Sequence, residues 1–235
     1  ISGLRILKIL KCNNNRKINN VNHLANHLKV LECDCYSGID QNGISQLRVL
    51  EELNCYNNKK INNVNHLSNC LRILNCSADC GIDQDGISQL KVLEILECKN
   101  NIRIDNVNHL SSTLIKLVCE QSSGINQDGI SNLKILKELY CGNNYEIYDV
   151  NHLGMTLSKL YCYRYSGINQ EGISKLKNIK VFDCCENSKI TNIDHLADTL
   201  EELYWDAKNI PLGQFKRLKK HRSESIMAPP VGVLL

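Results

Sequence analysis

Aromatic side chains are scarce in this chain: Phe, Trp and Tyr together make up 5% of its 235 residues, against 43% hydrophobic residues overall. Aliphatic side chains must therefore fill the core, which at this length can be sizeable. Long apolar runs are missing as well. No window holds eighteen or more apolar residues, so nothing in the sequence places it in or through a membrane. The first residues lack the charged-then-apolar order of a secretory signal. Basic charge is also lacking along the body. The formal charge is +3, but residues 216–224 alone supply +4, from Lys216, Arg217, Lys219, Lys220 and Arg222 against Glu224, which leaves the remainder near −1. No basic groove runs along the array, and nucleic-acid binding there is not expected.

Catalytic signatures are missing too. Neither GxxxxGK[ST], HExxH, GxSxG nor an EF-hand loop occurs, and no cofactor is implied. The octet "GIDQDGIS" at 81–88 carries two carboxylates, Asp83 and Asp85, but Ile87 stands where a calcium loop would continue the alternate-position spacing. Its other copies read "GINQDGIS" and "GINQEGIS", so a turn and helix cap is the better account.

Repetition is what the chain has in abundance. Cys12, Cys33, Cys55, Cys76, Cys98, Cys119, Cys141, Cys162 and Cys184 recur at spacings that alternate between 21 and 22, and Trp205 takes the next place. The repeating unit is thus a 43-residue pair. After Cys55, apolar residues fall at Ile61, Val64, Leu67, Leu71 and Leu74; after Cys76 they fall at Ile82, Ile87, Leu90, Leu93 and Leu96. Neither frame sustains one helix or one long strand. A coil with one short strand per turn explains both, with "LxC" as the strand and the other apolar positions pointing inward from a helical or 3₁₀ return. Paired glycines in the longer member (Gly38/Gly43, Gly81/Gly86, Gly124/Gly129, Gly167/Gly172) are expected at turns that need positive φ.

The segment Leu93-Glu-Ile-Leu96-Glu-Cys98-Lys-Asn-Asn101-Ile-Arg-Ile104 resembles the leucine-rich-repeat signature, with Cys in place of its third Leu and Asn at its usual place. The resemblance spans roughly residues 1–212. It implies an α/β fold: a leucine-rich-repeat solenoid, or horseshoe, with a parallel β-sheet on the concave face and short helical or 3₁₀ returns on the convex face. The longer members depart from it, with Tyr36, Asp79, Ser122 and Tyr165 where Asn is expected. The high Asn, Ile and Lys content, with about 30 Asn, is similar to repeat arrays of AT-rich genomes such as giant viruses of amoebae. One elongated solenoid of about ten coils is expected over 1–218, its last coil degenerate through Ile210, Leu212, Phe215 and Leu218. A basic, then apolar, disordered tail is expected over 219–235. Because Ile1-Ser2-Gly3-Leu4 aligns with Ile44-Ser45-Gln46-Leu47, upstream sequence is expected to be missing or this end frayed.

Geometry sorts the readings of the cysteine ladder. Stacked coils stand about 4.8 Å apart, and a straight row of thiols cannot converge on a tetrahedral zinc ion. Parallel Cβ vectors at that spacing also exceed disulfide reach. A buried, reduced ladder is therefore expected, with no metal. Thirteen cysteines without a secretory signal fit a reducing compartment, hence the cytoplasm, or a host cytoplasm if the source is viral. Off the ladder, Cys185 follows a strand and is the best candidate for a reactive thiol on the concave face. His23, His66, His109, His152 and His195 recur every 43 residues, each after an Asn or Asp expected to cap the short return helix, and are read as satisfied structural positions.

Strand alternation turns the residues beside each cysteine toward the concave face. Their identities change from coil to coil. Seven of nine tyrosines lie between 140 and 204. Tyr140, Tyr161, Tyr163 and Tyr204 are expected to form a concave aromatic patch beside Asp183, Glu202 and Asp206, and this is the candidate partner-binding site. The family resemblance implies a protein partner and a non-enzymatic interaction module, as a monomer or with weak end-to-end association. The rivals are the recognition part of an F-box-type ubiquitin-ligase adaptor and a thiol-based redox sensor or enzyme.

Overall fold

In a computed structural model, which describes residues 3–206 and 220–222, the chain packs as two compact units, Ile1–Leu136 and Lys137–Leu235. The repeat spacing runs through this division unchanged, so the expected single body carries no sequence mark of it. Each unit has a leucine-rich-repeat-like solenoid fold in which every coil gives one three-residue strand. In the first unit these are β1 (Ile9–Lys11), β2 (Val30–Glu32), β3 (Glu52–Asn54), β4 (Ile73–Asn75), β5 (Ile95–Glu97) and β6 (Lys116–Val118). Consecutive strands pair in parallel and in register, so that Leu10, Leu31, Leu53, Leu74, Leu96 and Leu117 form one row. The second unit holds β7 (Glu138–Tyr140), β8 (Lys159–Tyr161), β9 (Val181–Asp183), β10 (Glu202–Tyr204) and β11 (Lys220–Arg222). Its row from β7 to β10 is Leu139, Leu160, Phe182 and Leu203, paired in the same way. β11 falls within the segment expected as a tail. The expected degenerate coil at Ile210, Leu212, Phe215 and Leu218, and the rest of the tail, lie outside the described residues.

The return paths explain the two frames. In the longer coils a single helical turn forms at α1 (Gln41–Ile44), α2 (Gln84–Ile87) and α3 (Gln127–Ile130), each started by a side chain that accepts the N–H of its glycine: Asp40 from Gly43, Asp83 from Gly86 and Asn126 from Gly129, all at 2.9 Å. This is the turn and cap expected of "GIDQDGIS". The shorter coils use 3₁₀ turns such as Asn65–Leu67. From both, the apolar positions project inward: Ile61, Val64, Leu67, Leu71 and Leu74 are all fully buried. Each contributes roughly 1.5–3 kcal/mol of burial free energy.

Two expectations about the backbone are corrected. The paired glycines do not sit at positive φ; they stand where the preceding coil passes too close for a side chain. A Cβ would lie 2.2 Å from the Asn62 carbonyl oxygen at Gly86 and 2.0 Å from that of Tyr148 at Gly172. At the same place the glycine carbonyl accepts the backbone N–H of the coil before it, as in Val64 to Gly86 at 2.9 Å. Positive φ falls instead two residues after each ladder cysteine, at Asn14, Cys35, Asn57, Ala78, Asn100, Gln121, Asn143, Arg164 and Glu186. Only some of these are the Asn that tolerates this region well. What holds them is the next coil, which accepts their N–H: Cys35 to Tyr56, Asn57 to Ser77, Ala78 to Lys99 and Arg164 to Cys185 at 2.6–3.0 Å.

The Asn preceding each ladder His is likewise not a cap of its own turn. Asn65 donates to the Asp85 carbonyl (2.8 Å) and accepts from Gln89 N–H (2.9 Å), and so ties its coil to the next. Asn22 and Asn151 make the same pair of bonds.

Candidate functional site

The cysteine ladder lies behind the sheet, inside the coils. All thirteen cysteines are free thiols, and Cys33, Cys55, Cys76, Cys98, Cys119, Cys141 and Cys162 are fully buried. Their N–H groups continue the sheet, as in Cys55 to Asn75 and Cys162 to Asp183 at 2.9 and 2.8 Å. Burial pushes the Cys98 thiol up to about 12 and moves Cys33, Cys76, Cys162 and Cys184 well above the ordinary thiol range. Such thiols stay protonated and inert. Among the described residues, no three His, Cys, Asp or Glu side chains are grouped to hold a metal ion.

Between ladder rungs the two kinds of coil satisfy their turns differently. In the shorter coils a buried Asn does so: Asn58 donates to the carbonyls of Cys33 (2.8 Å) and Ile39 (3.1 Å) and accepts from Lys60 N–H (3.1 Å), a pattern repeated by Asn101 and Asn187. In the longer coils a small residue four places after the cysteine takes over, namely Ser37, Cys80, Ser123 or Ser166. Each meets the ladder cysteine of the coil before it, at 3.9, 3.5, 3.8 and 4.0 Å respectively. The ladder histidines are satisfied as expected where the structure gives the bond: Nε2 of His66, His109 and His195 lies 3.0–3.1 Å from the carbonyls of Ile44, Ile87 and Ile173.

The open face of the second unit's sheet is where the candidate residues come together. Register places Tyr140, Tyr161, Asp183 and Tyr204 in one row across β7 to β10. The Tyr140 and Tyr161 rings stack, with centroids 4.2 Å apart and planes within 6°. Tyr163, Cys185 and Tyr204 form a buried cluster against which Tyr161 and Val181 pack. The Tyr204 hydroxyl donates to a Glu202 carboxylate oxygen at 3.0 Å, and a buried Asp183 oxygen accepts the Cys185 N–H at 3.0 Å.

This patch is more closed than the tyrosine count implies. Tyr140, Tyr163 and Tyr204 are 5%, 3% and 7% exposed, while Tyr161, Glu202 and Asp206 stay half-exposed. The reason lies in Gly142, which sequence reasoning missed: a Cβ there would fall 2.4–2.6 Å from atoms of the Tyr163 ring. Tyr163 therefore packs against the backbone just past β7, at a point with no side chain. The signal was available, because Gly142 is a glycine beside a ladder cysteine, where every other coil carries a side chain. Cys185 faces this side, as expected, but as a reactive thiol it is corrected: it is buried beneath the tyrosines, and burial together with Asp183 pushes its thiol up.

Three further tyrosines of the second unit lie elsewhere. Tyr145, Tyr148 and Tyr165, in the turns that follow the strands, are 70%, 53% and 83% exposed.

No family model matches the chain, and no curated protein matches it. Among solved structures it is similar to the functional domain of InlJ from Listeria monocytogenes, described as including a cysteine ladder, with a TM-score of 0.60 and 21% identity over 88% of this chain and 46% of that one. The chain thus spans less than half the length of that protein. The likeness bears on the fold. Among the described residues, no helix is long and apolar enough to cross a membrane.

Proposed function

We propose that this chain is a protein-interaction module, not an enzyme, that takes its partner on the open face of the second unit's sheet. Tyr140, Tyr161, Tyr163 and Tyr204 would be its aromatic floor, and Asp183, Glu202 and Asp206 its acidic component. The observation that carries the reading is the packed aromatic cluster on the solvent side of a sheet whose core is already closed by Leu and Cys on the other side. With Tyr140 and Tyr161 stacked and Tyr161 packed against Tyr163 and Tyr204, these rings lose little freedom when a partner covers them, which favours binding. Tyr161, half-exposed on this floor, is the first point of contact.

The test is capture of proteins by the native chain, by a Tyr161→Ser/Glu202→Gln variant and by a Tyr145→Ser/Tyr148→Ser/Tyr165→Ser variant, with circular dichroism used to confirm folding. A protein lost only with the first variant supports this face. Loss only with the second would move the site to the turns, and equal capture by all three would remove tyrosine recognition from the account.

A further inference from the structure

Position 80 is where the ladder departs from its own pattern. Its counterparts Ser37, Ser123 and Ser166 hold a hydroxyl 3.8–4.0 Å from the ladder cysteine of the preceding coil, whereas Cys80 puts a second sulfur there. The Sγ atoms of Cys55 and Cys80 stand 3.5 Å apart, both buried, on chain positions 25 residues apart. Rungs of the ladder face one another across parallel strands and cannot bond, but Cys80 comes from a turn and points at the rung from the side. Reaching a bond of about 2.05 Å needs a closure of about 1.5 Å, within the range of a side-chain rotation.

We propose that Cys55 and Cys80 form a redox-active dithiol, which peroxide-class oxidants convert to a disulfide that staples the coil of β3 to the coil of β4. The two sulfurs are unequal. The two share one hydrogen bond in which either sulfur can donate; that contact, with the backbone beside Cys80 and the positive charge of Arg103, pulls the Cys80 thiol below the ordinary range while Cys55 is pushed above it. Cys80 is therefore the nucleophile. Its thiolate attacks one peroxide oxygen to give a sulfenic acid and hydroxide. The Cys55 thiol then loses its proton and attacks the Cys80 sulfur, which expels a second hydroxide. In sum, two thiols lose two electrons and two protons, and one hydrogen peroxide becomes two waters. Cys80 is itself buried, so the oxidant enters by opening of the turn that carries it, where the neighbouring Lys59–Asp79 ion pair (3.1 Å) is exposed on both sides.

The full chain with the half-exposed Cys35 and Cys70 changed to Ser is treated with hydrogen peroxide, then alkylated in denaturant and mapped by mass spectrometry. The expected product has lost two hydrogens, joins the peptides of Cys55 and Cys80, and reverts with dithiothreitol. The linked form unfolds at higher urea than the reduced one, because a 25-residue loop is closed. Adding Cys80→Ser, the residue other coils use, abolishes the link without unfolding the protein. The proposal is overturned by retention of both thiols at peroxide doses that oxidise Cys35 and Cys70 in the native chain. It is also overturned by linkage of Cys55 to another ladder cysteine, or by oxidation of Cys80 to a sulfinic acid with Cys55 left free.

Discussion

The two units repeat the same inner pattern and differ in what they show to solvent. In the first, the row that ends each strand reads Lys11, Glu32, Asn54, Asn75, Glu97 and Val118; Lys11 pairs with Glu32 within it at 2.8 Å, Lys116 reaches Glu97 from the start of β6 at 3.3 Å, and Lys99 pairs with Glu120 just beyond it at 3.1 Å. In the second, the same row reads Tyr140, Tyr161, Asp183 and Tyr204, so rings fill most of it, while Lys159 and Glu138 pair beside it at 2.7 Å. Strand length, register and the buried Leu row do not change. The difference shows that a coil is specified by its inward residues and its turns. The open face is left to vary, and among the described residues only the second unit gathers aromatic area there.

Breaking this inner pattern should have the largest effect and should not distinguish the units. Leu74→Ala and Leu160→Ala each remove a fully buried side chain and are expected to destabilise by about 2–5 kcal/mol, read from urea denaturation. A loss confined to one unit would mean that the walls are not equivalent. Next come the buried asparagines. Asn58→Ala and Asn187→Ala orphan two carbonyls and one N–H apiece, for an expected cost of about 1–3 kcal/mol for each group left unpaired.

Glycine variants sharpen the contrast. Gly86→Ala drives a methyl into a backbone oxygen and should cost about 1–3 kcal/mol or more. Gly142→Ala meets only the Tyr163 ring, which can swing away. It should cost less stability and yet weaken partner capture and raise tyrosine exposure, measured by solvent-perturbation absorbance.

The smallest effect is that of pH on the first unit. Burial lowers the pKa of His66 and His109. The unfolded chain therefore binds more protons between its own histidine value of about 6.5 and the lowered folded values. Stability should hold above that window and fall as pH drops through it, and the fall should shrink in His66→Gln/His109→Gln. Glu97 and Asp34, raised by burial, act with the opposite sign in more acid solution.

The fold was legible in the alternating 21 and 22 spacing because inward positions obey one rule: apolar, at fixed intervals. The αL residue two places after each cysteine was not, because Ala78, Arg164 and Glu186 carry no mark of it; the hydrogen bond from the next coil compels the geometry. The face carrying Tyr140, Tyr161, Tyr163 and Tyr204 was legible from strand alternation. How deeply the Tyr163 ring sinks was not, since that depends on a glycine one coil away. Cys80 was visible as an off-ladder cysteine, but the thiol it meets emerges only when coils are stacked.

Contacts between successive coils come in two kinds, and they alternate. Entering a longer coil, backbone meets backbone across glycine, as between Asn62 and Gly86. Leaving it, a glutamine amide bridges: Gln41 and Gln84 each accept two N–H groups from the following coil and donate to one of its carbonyls. The array is thus a one-dimensional lattice with two alternating bonds, and its unit cell is two coils. It can lengthen or shorten by duplication or deletion only in steps of 43 residues, since a single coil gained or lost would set like edges against each other, glycine without its close carbonyl or glutamine without its amide partners.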